Sequence, residues 1–279
     1  MFSLHRSLPS PAETARINSA ALRNHFLLEN LFAAGELRLT LTDLDRAVVG
    51  GACPIAGRPL ELNASEALRA ASFCERRELG VINLGGSGAV DVDGVLYELA
   101  ARDCLYVGRG AARIAFHADA SANSAAFLLV SYPAHASHPT RKATPSDAKV
   151  LQLGTKDEAN ERTLYQYIHE GGIRSCQLVM GYTELKAGSI WNTMPAHTHS
   201  RRSEIYTYFD IPAGHAVLHL MGEPHETRPL WVTDRGVVLS PPWSIHSGAG
   251  TRAYRFVWAM GGENQRFDDM DRVAITALR

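Results

Sequence analysis

The chain has 279 residues, of which 46% are hydrophobic and 20% charged, a composition that is ordinary for a globular protein and excludes a disordered or fibrous one. Its 28 Lys and Arg residues offset 29 Asp and Glu residues, so the net charge of −1 leaves no positive excess to neutralise nucleic-acid phosphates. Its four cysteines form no CxxC pair, and no apolar run has the length of a signal peptide or a membrane span. We therefore expect a cytoplasmic protein with reduced thiols and with neither nucleic acid nor membrane as a partner.

The first predicted element is a helix within residues 10–32. Ser10 fits an N-cap, Pro11 the first helical position, and Glu13 the reciprocal partner of a capping box. Apolar side chains then follow at helical spacing: Leu22, Phe26, Leu27 and Leu31. We expect a short N-terminal helical segment, residues 1–36, that covers a sheet edge or packs against a partner subunit.

From about residue 37, short segments rich in Val, Leu, Ile and Tyr end repeatedly at Gly, Asp or Pro. This texture is typical of antiparallel β-structure. Asp93-Gly94, between two alternating runs, predicts a tight hairpin. The segments are LRLTLTDL, GVINLGG, AVDVDGVLYEL, CLYVGRG, RIAFHAD and AFLLVSYP. They predict a first β-barrel over residues 37–132.

Residues 133–150 interrupt this texture with three prolines and small polar residues, and we interpret them as a linker. Strand-like segments then resume, among them EIYTYFDI, HAVLHLMG and GVVLSP. The fold class predicted is therefore all-β, with two tandem β-barrels, the second over residues 151–279, behind a short helical segment.

A cluster of metal-ligand residue types lies in the second module. His197 and His199 are two residues apart, so on a strand they point to the same side. We expect a bend after His199 to bring Glu204 into the same barrel interior as the two histidines. His246 follows a Pro-Pro turn and is expected at the start of a neighbouring strand. Three imidazoles and a carboxylate suit one divalent first-row metal ion with open positions for water or substrate.

The order HxH-x4-E followed by P-x4-H resembles the two-part cupin metal motif, which implies jelly-roll barrels. The motif's glycine and proline positions match here, but Trp243 occupies the position of a second glycine. The first module has no histidine in the corresponding segment VINLGGSGAVDVDGVLYEL, so we expect it to lack a metal site. The matching positions are Gly188, Gly214, Gly236 and Pro241.

Longer segments carry a more specific resemblance, from about residue 20 to residue 279. They include ERRELGVINLGGSG, WNTMPAHTHSRRSEIYTYF, SPPWSIHSGAGT and YRFVWAMGGENQRFDDMD. In order and spacing they resemble the 5-keto-4-deoxyuronate isomerase family, the ketol-isomerases of pectin breakdown. The resemblance implies two cupin barrels, Zn²⁺ bound by His197, His199, Glu204 and His246, and a homohexamer. It also implies conversion of 5-dehydro-4-deoxy-D-glucuronate to 3-deoxy-D-glycero-2,5-hexodiulosonate.

That reaction moves a carbonyl to the neighbouring carbon, by proton abstraction through an enediol or by a hydride shift. It needs a base and a cation for the substrate carboxylate. The candidate bases are Glu226 and Glu263, and Arg202 and Arg228 are the candidate cations. Tyr206 or Tyr208, on the strand after Glu204, is a candidate hydrogen-bond donor to substrate.

Two other functions remain compatible with the metal ligands alone. A sugar-sensing module would use the pocket for binding without catalysis, although the sequence has no pair of DNA-binding helices. An iron dioxygenase would use the same ligand set to activate oxygen. Metal analysis with an oxygen-uptake assay separates these functions from an isomerase.

Overall fold

The computed structural model of the protein describes residues 2–119, 125–263 and 265–279. Three short stretches lie outside the described residues: Met1, residues 120–124 and Asn264. They fall in the predicted segments 1–36, 37–132 and 151–279, respectively. The helices are α1 (Pro11–Thr14) and α2 (Ser19–Phe26), with single 3-10 turns at Leu44–Arg46, Glu66–Leu68 and Ile275–Ala277. Most of the remaining secondary structure is β-strand.

The strands fall into two groups along the chain. The first group comprises β1 (Phe2–Arg6), β2 (Leu27–Leu28), β3 (Leu37–Thr42), β4 (Val48–Ala52), β5 (Leu60–Glu61), β6 (Arg77–Asn83), β7 (Gly88–Val92), β8 (Val95–Leu99), β9 (Cys104–Val107), β10 (Ile114–Ala118), β11 (Phe127–Pro133) and β12 (Arg141–Ala143). The second group comprises β13 (Lys149–Leu153), β14 (Arg162–Ile168), β15 (Val179–Leu185), β16 (Trp191–Asn192), β17 (His197–Thr198), β18 (Arg202–Phe209), β19 (Val217–Glu223), β20 (Glu226–Val232), β21 (Val237–Ser240), β22 (Ser247–Gly250), β23 (Arg255–Gly262) and β24 (Asp271–Arg272).

The chain forms two compact units. The first unit contains the described residues of the ranges 1–6, 30–148 and 167–179. Its seven-stranded sheet has the order β1-β3-β4-β11-β6-β9-β12, and its four-stranded sheet the order β5-β10-β7-β8. Side chains from both sheets, such as Val81 of β6, Val90 of β7 and Phe116 of β10, share one hydrophobic core.

The second unit contains Ser7–Glu29, Lys149–Gln166 and Met180–Arg279. Its seven-stranded sheet has the order β13-β14-β15-β23-β18-β21-β2, and its four-stranded sheet the order β16-β22-β19-β20. A small two-stranded sheet pairs β17 with β24. Strand β18 lies between β23 and β21 and all eight of its residues are buried, which explains why its sequence RSEIYTYF contains so many large side chains.

Two local predictions are confirmed. Ser10 caps α1: its hydroxyl accepts from the backbone N–H of Glu13, and the Glu13 carboxylate accepts from the backbone N–H of Ser10 at 2.8 Å. Asp93 and Gly94 form the two-residue turn between β7 and β8, both with positive φ, of 52° and 87°. Such a turn has the twist of the strands that it joins, and glycine adopts this conformation without strain.

The all-β class is also confirmed, but the described strands do not form closed barrels. In each unit the hydrogen bonds form separate open sheets of seven and four strands, with no ladder joining their edges among the described residues. The predicted linker, residues 133–150, contains β12, which pairs with β9, and the start of β13.

The units also exchange segments that a division into consecutive modules does not anticipate. Residues 7–29 belong to the second unit, where Leu27 and Leu28 pair with β21. Residues 167–179 belong to the first unit, where the buried Glu78 carboxylate accepts from the backbone N–H groups of residues 176–178 at 2.6–2.9 Å. The Tyr106 hydroxyl donates to the same carboxylate at 2.9 Å. Buried carboxylates are stable only when hydrogen bonds satisfy them, so Glu78 fixes this segment.

Candidate metal centre

The HxH pair lies on and beside a short edge strand. His197 begins β17 and pairs with Arg272 of β24, and His199 follows the strand directly. The backbone N–H of His199 donates to the carbonyl of Pro242 at 3.2 Å, which ties the HxH segment to the turn before His246. Only 8% of His197 and 2% of His199 is exposed, so both imidazoles are turned inward as their spacing predicts.

Glu204 lies on the central strand β18, opposite Ser240 of β21 and Met260 of β23. Paired strands on both sides therefore hold this part of β18 in place. Glu204 and Tyr206 occupy alternate positions and therefore share a face of the strand. This places the carboxylate on a rigid element inside the unit.

His246 follows a turn that is fixed to β19. The backbone N–H of Ile245 donates to the carbonyl of Gly222 at 2.9 Å, and the N–H of Gly222 donates to the Ser244 hydroxyl at 2.9 Å. His246 itself is 1% exposed. Three separate elements, namely β17 with the residue after it, β18 and the turn before β22, thus bring the four predicted ligands together.

The donor atoms of His197, His199, Glu204 and His246 all lie within 4.8 Å of one another. The Nε2 atom of His197 is 3.2 Å from that of His199 and 2.9 Å from that of His246. The Glu204 Oε2 atom is 3.0 Å from the Nε2 atoms of both His199 and His246. Ligand nitrogens around a tetrahedral Zn²⁺ ion lie about 3.3 Å apart, so the spacing fits a single ion.

The hydrogen bonds of the ring nitrogens favour metal binding. The Nδ1 atom of His199 is 2.8 Å from the carbonyl oxygen of Asp269, which can only accept, so this nitrogen carries a proton. In the neutral ring, the Nε2 atom then carries no proton. Its lone pair faces the Glu204 carboxylate, with 3.0 Å between Nε2 and Oε2. Two acceptors at this distance repel each other unless a cation lies between them. The Nδ1 atom of His246 lies 3.2 Å from the Ser240 hydroxyl, so its orientation is also fixed.

Burial favours the neutral, metal-binding form of His197 and His246. Burial and the neighbouring His246 and His199 lower the pKa of His197 to about 2, and burial also lowers the pKa of His246. Burial raises the pKa of Glu204, but the neighbouring His246 and His199 lower it more, so the net pKa is below the ordinary value. Neutral imidazoles and an ionised carboxylate are the ligand forms that a divalent ion requires.

The structure places Tyr206 beside this group, Glu263 directly after β23 and Glu226 at a hairpin turn. Tyr206 is 2% exposed, with its ring centroid 5.2 Å from that of His246 and its hydroxyl 3.0 Å from the Thr193 hydroxyl. Glu263 is exposed and directly follows β23, and its backbone N–H donates to the carbonyl of Arg201 at 3.0 Å. Glu226 is exposed and begins β20 at its turn from β19.

Both candidate arginines donate to backbone carbonyls. Arg202 is 1% exposed, and its Nη2 atom donates to the carbonyls of Phe267 at 3.0 Å and Asp269 at 3.1 Å. Arg228 donates to the carbonyls of Thr14 at 2.7 Å and Ile17 at 2.6 Å. These contacts engage the terminal nitrogens that we expected to bind a substrate carboxylate.

Sequence analysis missed two polar residues of the same unit, His219 and Arg162. His219 is fully buried on β19, and its Nδ1 atom lies 2.7 Å from the Tyr208 hydroxyl. Its alternation with Val217 and Met221 was a signal that it faces inward. Arg162, the half-buried first residue of β14, lies within electrostatic range of Tyr206 and Tyr254, and nothing in its local sequence indicated this.

Among the described residues, no helix combines the length and the apolar character needed to cross a bilayer.

Together, the fold and the site define an all-β protein with a buried group of three histidines and one glutamate that can hold a metal ion. The model of the KduI/IolB family matches residues 29–275. The chain therefore belongs to the KduI/IolB family, which confirms the resemblance inferred from the sequence.

Individual relatives agree with this assignment. The chain is 52% identical over 277 residues to the 4-deoxy-L-threo-5-hexosulose-uronate ketol-isomerase of Opitutus terrae, with 99% of each chain covered. It is 50% identical over 274 residues to the ketol-isomerase of the same name from Formosa agariphila, with 98% of each chain covered. Among solved structures it is similar to an IolB-like protein from Salmonella typhimurium, with a TM-score of 0.67, 14% identity, and coverage of 89% of this chain and 96% of the other. At this identity the similarity concerns the fold alone.

Proposed function

We propose that this protein is a zinc-dependent ketol-isomerase of polyuronate and pectin breakdown. It converts 4-deoxy-L-threo-5-hexosulose uronate, also called 5-dehydro-4-deoxy-D-glucuronate, to 3-deoxy-D-glycero-2,5-hexodiulosonate. The observation that carries the proposal is the convergence of His197, His199, Glu204 and His246 in a chain whose full-length relatives bear the ketol-isomerase name. A homohexamer is the assembly that we expect from the family resemblance.

The reaction transfers hydrogen between two neighbouring carbons. A proton leaves C2 of the open-chain aldehyde, and a proton is added to C1 while the C2 hydroxyl becomes the ketone. A Zn²⁺ ion at this site would supply Lewis acidity, which would make the C–H bond at C2 of the substrate more acidic. The buried side chains of His197, His199, Glu204 and His246 would hold the ion, and in such a buried setting electrostatic stabilisation of a developing oxyanion would be stronger than in water.

Glu263 is the better candidate of the two for the base. The backbone N–H of Glu263 donates to the carbonyl of Arg201. Arg201 belongs to the segment that joins β17 to β18, and in sequence it lies between His199 and Glu204. The Glu263 side chain is exposed, so the carboxylate is free to accept the C2 proton and return it to C1. Glu226, at the turn between β19 and β20, is the alternative. Tyr206, next to His246, donates a hydrogen bond to a substrate oxygen.

The substrate carboxylate needs a cation whose donors are not all used in hydrogen bonds to backbone carbonyls. We assign the role of binding this carboxylate to Arg162. Its Nη1 atom donates to the carbonyl of Asn160 at 2.8 Å, and its charge interacts with the hydroxyl groups of Tyr206 and Tyr254. Burial lowers its pKa, and a partly desolvated guanidinium binds carboxylates strongly through paired hydrogen bonds. We expect Arg162→Gln to raise KM for the uronate while the metal content stays unchanged.

The direct test is to incubate the purified protein with freshly generated 4-deoxy-5-hexosulose uronate and to follow formation of the ketose product. Zinc content and oxygen uptake are measured on the same preparation. Turnover with bound zinc and without oxygen uptake supports the isomerase. Full turnover by metal-free protein would contradict the metal chemistry, and oxygen uptake with bound iron would favour a dioxygenase.

The base is tested in the same assay. Glu263→Gln should lower kcat strongly at full metal occupancy, whereas Glu226→Gln should have a small effect. In ²H₂O, transfer through an exchanging base incorporates deuterium at C1 of the product, whereas a hydride shift does not. An unchanged rate in both variants would show that neither glutamate is the base.

A further inference from the structure

A buried arginine lies on the same strand as one of the candidate metal ligands. Arg202 begins β18, two residues before Glu204, and only 1% of it is exposed. Its Nη1 atom donates to the carbonyl of Arg266, and its Nη2 atom donates to the carbonyls of Phe267 at 3.0 Å and Asp269 at 3.1 Å. A buried guanidinium needs such acceptors because it has lost its water. These three carbonyls therefore bind the 266–269 segment to the central strand.

One of those carbonyls has a second donor. The Asp269 oxygen is also 2.8 Å from the Nδ1 atom of His199. A carbonyl oxygen has two lone pairs, so it can accept from Arg202 and His199 together. The protein thus contains a continuous path from the guanidinium of Arg202, through one backbone oxygen, to the imidazole of a metal ligand.

We propose that Arg202 is a positioning residue of the metal centre: it fixes the Asp269 carbonyl, which in turn holds His199 with Nδ1 protonated and Nε2 directed at the ion. The inference rests on the metal site of the proposed function. Partners of this kind set the tautomer and orientation of ligating histidines. On this basis Arg202 acts through His199 and does not contact the substrate.

The neighbouring arginine provides a matched control. Arg201 pairs with the side-chain carboxylates of Asp269 and, at 3.8 Å, Asp271, and its side chain is 42% exposed. Both arginines therefore attach the same segment, but only Arg202 donates to the carbonyl that His199 uses. If Arg202 served only to attach the segment, loss of either arginine would have a similar effect on the metal.

The test compares Arg202→Lys with Arg201→Lys. Lysine keeps the charge but cannot span three carbonyls with one ammonium group. Each protein is stripped of metal and titrated with Zn²⁺ against a competing chelator. We expect about 10–100-fold weaker binding for Arg202→Lys, and binding close to wild type for Arg201→Lys. The visible spectrum of the Co²⁺-loaded protein, which reports ligand geometry, should change only for Arg202→Lys.

Equal zinc affinity and an unchanged cobalt spectrum in folded Arg202→Lys would overturn the inference, as would equal losses in the two variants. A second measurement requires no variant. In ¹⁵N-histidine NMR spectra of metal-free wild-type protein, His199 should be the Nδ1–H tautomer, and an Nε2–H tautomer would also overturn the inference. These measurements use no substrate, so they decide the role of Arg202 even if the isomerase assay fails.

Discussion

The ring of Phe26 packs edge-on against the ring of Trp243, with their centroids 6.2 Å apart. Phe26 is the last residue of α2 and is fully buried, and Trp243 lies in the turn that precedes His246. The next residue, Leu27, pairs with Val238 of β21. The N-terminal helix therefore supports the turn that presents His246, the fourth candidate metal ligand.

We expect Phe26→Ala to lower the free energy of unfolding by about 3–5 kcal/mol, because it removes a large buried side chain and leaves a cavity. Zinc affinity should fall as well, since the turn before His246 loses its support. Denaturant unfolding of metal-free protein and chelator competition measure the two effects. Asn24→Ala, on the exposed side of the same helix, is the control, and equal behaviour of the two variants would contradict this packing role.

Single ligand substitutions should separate metal binding from folding. His197→Ala and His246→Ala each remove one of four donors, so zinc affinity should fall by more than the roughly 10–100-fold typical of outer-shell residues. Activity should be lost with the metal while circular dichroism stays close to wild type. His225→Ala, at a 72% exposed side chain, should keep both metal and activity. A metal-replete, active His246→Ala protein would remove His246 from the ligand set.

His219 should make stability depend on pH. Burial lowers its pKa to about 3, against 6.5 in a model compound. Between these values the unfolded chain binds a proton at His219 that the folded protein does not, so the contribution of His219 is complete above about pH 6.5 and decreases as the pH falls toward 3.

Metal-free wild type should therefore lose stability more steeply between pH 6.5 and 4.5 than His219→Gln does. Unfolding free energies measured by urea titration at several pH values, with chelator present throughout, give the two slopes. The exposed His225→Gln variant should keep the wild-type slope. Parallel curves for wild type and His219→Gln would show that His219 titrates normally in the folded protein.

Gly248 should tolerate no side chain. A Cβ atom there would lie 2.8 Å from the Tyr208 hydroxyl and 3.1 Å from the Tyr254 hydroxyl. We expect Gly248→Ala to cost about 1–3 kcal/mol of stability through overpacking, and to lower turnover at full zinc occupancy because the tyrosines near the site move. Gly171→Ala is the control, since its nearest neighbour would be 3.5 Å away. Wild-type kinetics and stability in Gly248→Ala would disprove the steric argument.

The grouping of the four candidate ligands was predictable because its signals are local. His197 and His199 are two residues apart on extended chain, and side-chain chemistry identifies Glu204 and His246 as partners. The capping box at Ser10 and the turn at Asp93-Gly94 were predictable for the same reason. In each case a few adjacent residues determine the geometry.

The surroundings of the ligands depend on contacts between distant residues. Arg202 was a candidate for the substrate carboxylate because it adjoins the ligand loop, but its acceptors are carbonyls 64–67 residues away. Every residue has a backbone carbonyl, so the residue types do not show which carbonyl a distant side chain will contact. The sequence around Glu78 likewise does not reveal its backbone partners, which lie 98–100 residues further along the chain.

The exchange of segments between the two units has a consequence for dissecting the protein. A fragment that begins at Lys149 would carry all four ligands but would lack Ser7–Glu29, which belong to the same unit. It would leave the β2 side of β21 unpaired and would remove the ring that packs against Trp243. Unpaired strand edges promote aggregation. The shortest autonomous metal-binding unit is therefore not a continuous stretch of the gene, and a circular permutation or a tethered N-terminal peptide is needed to isolate it.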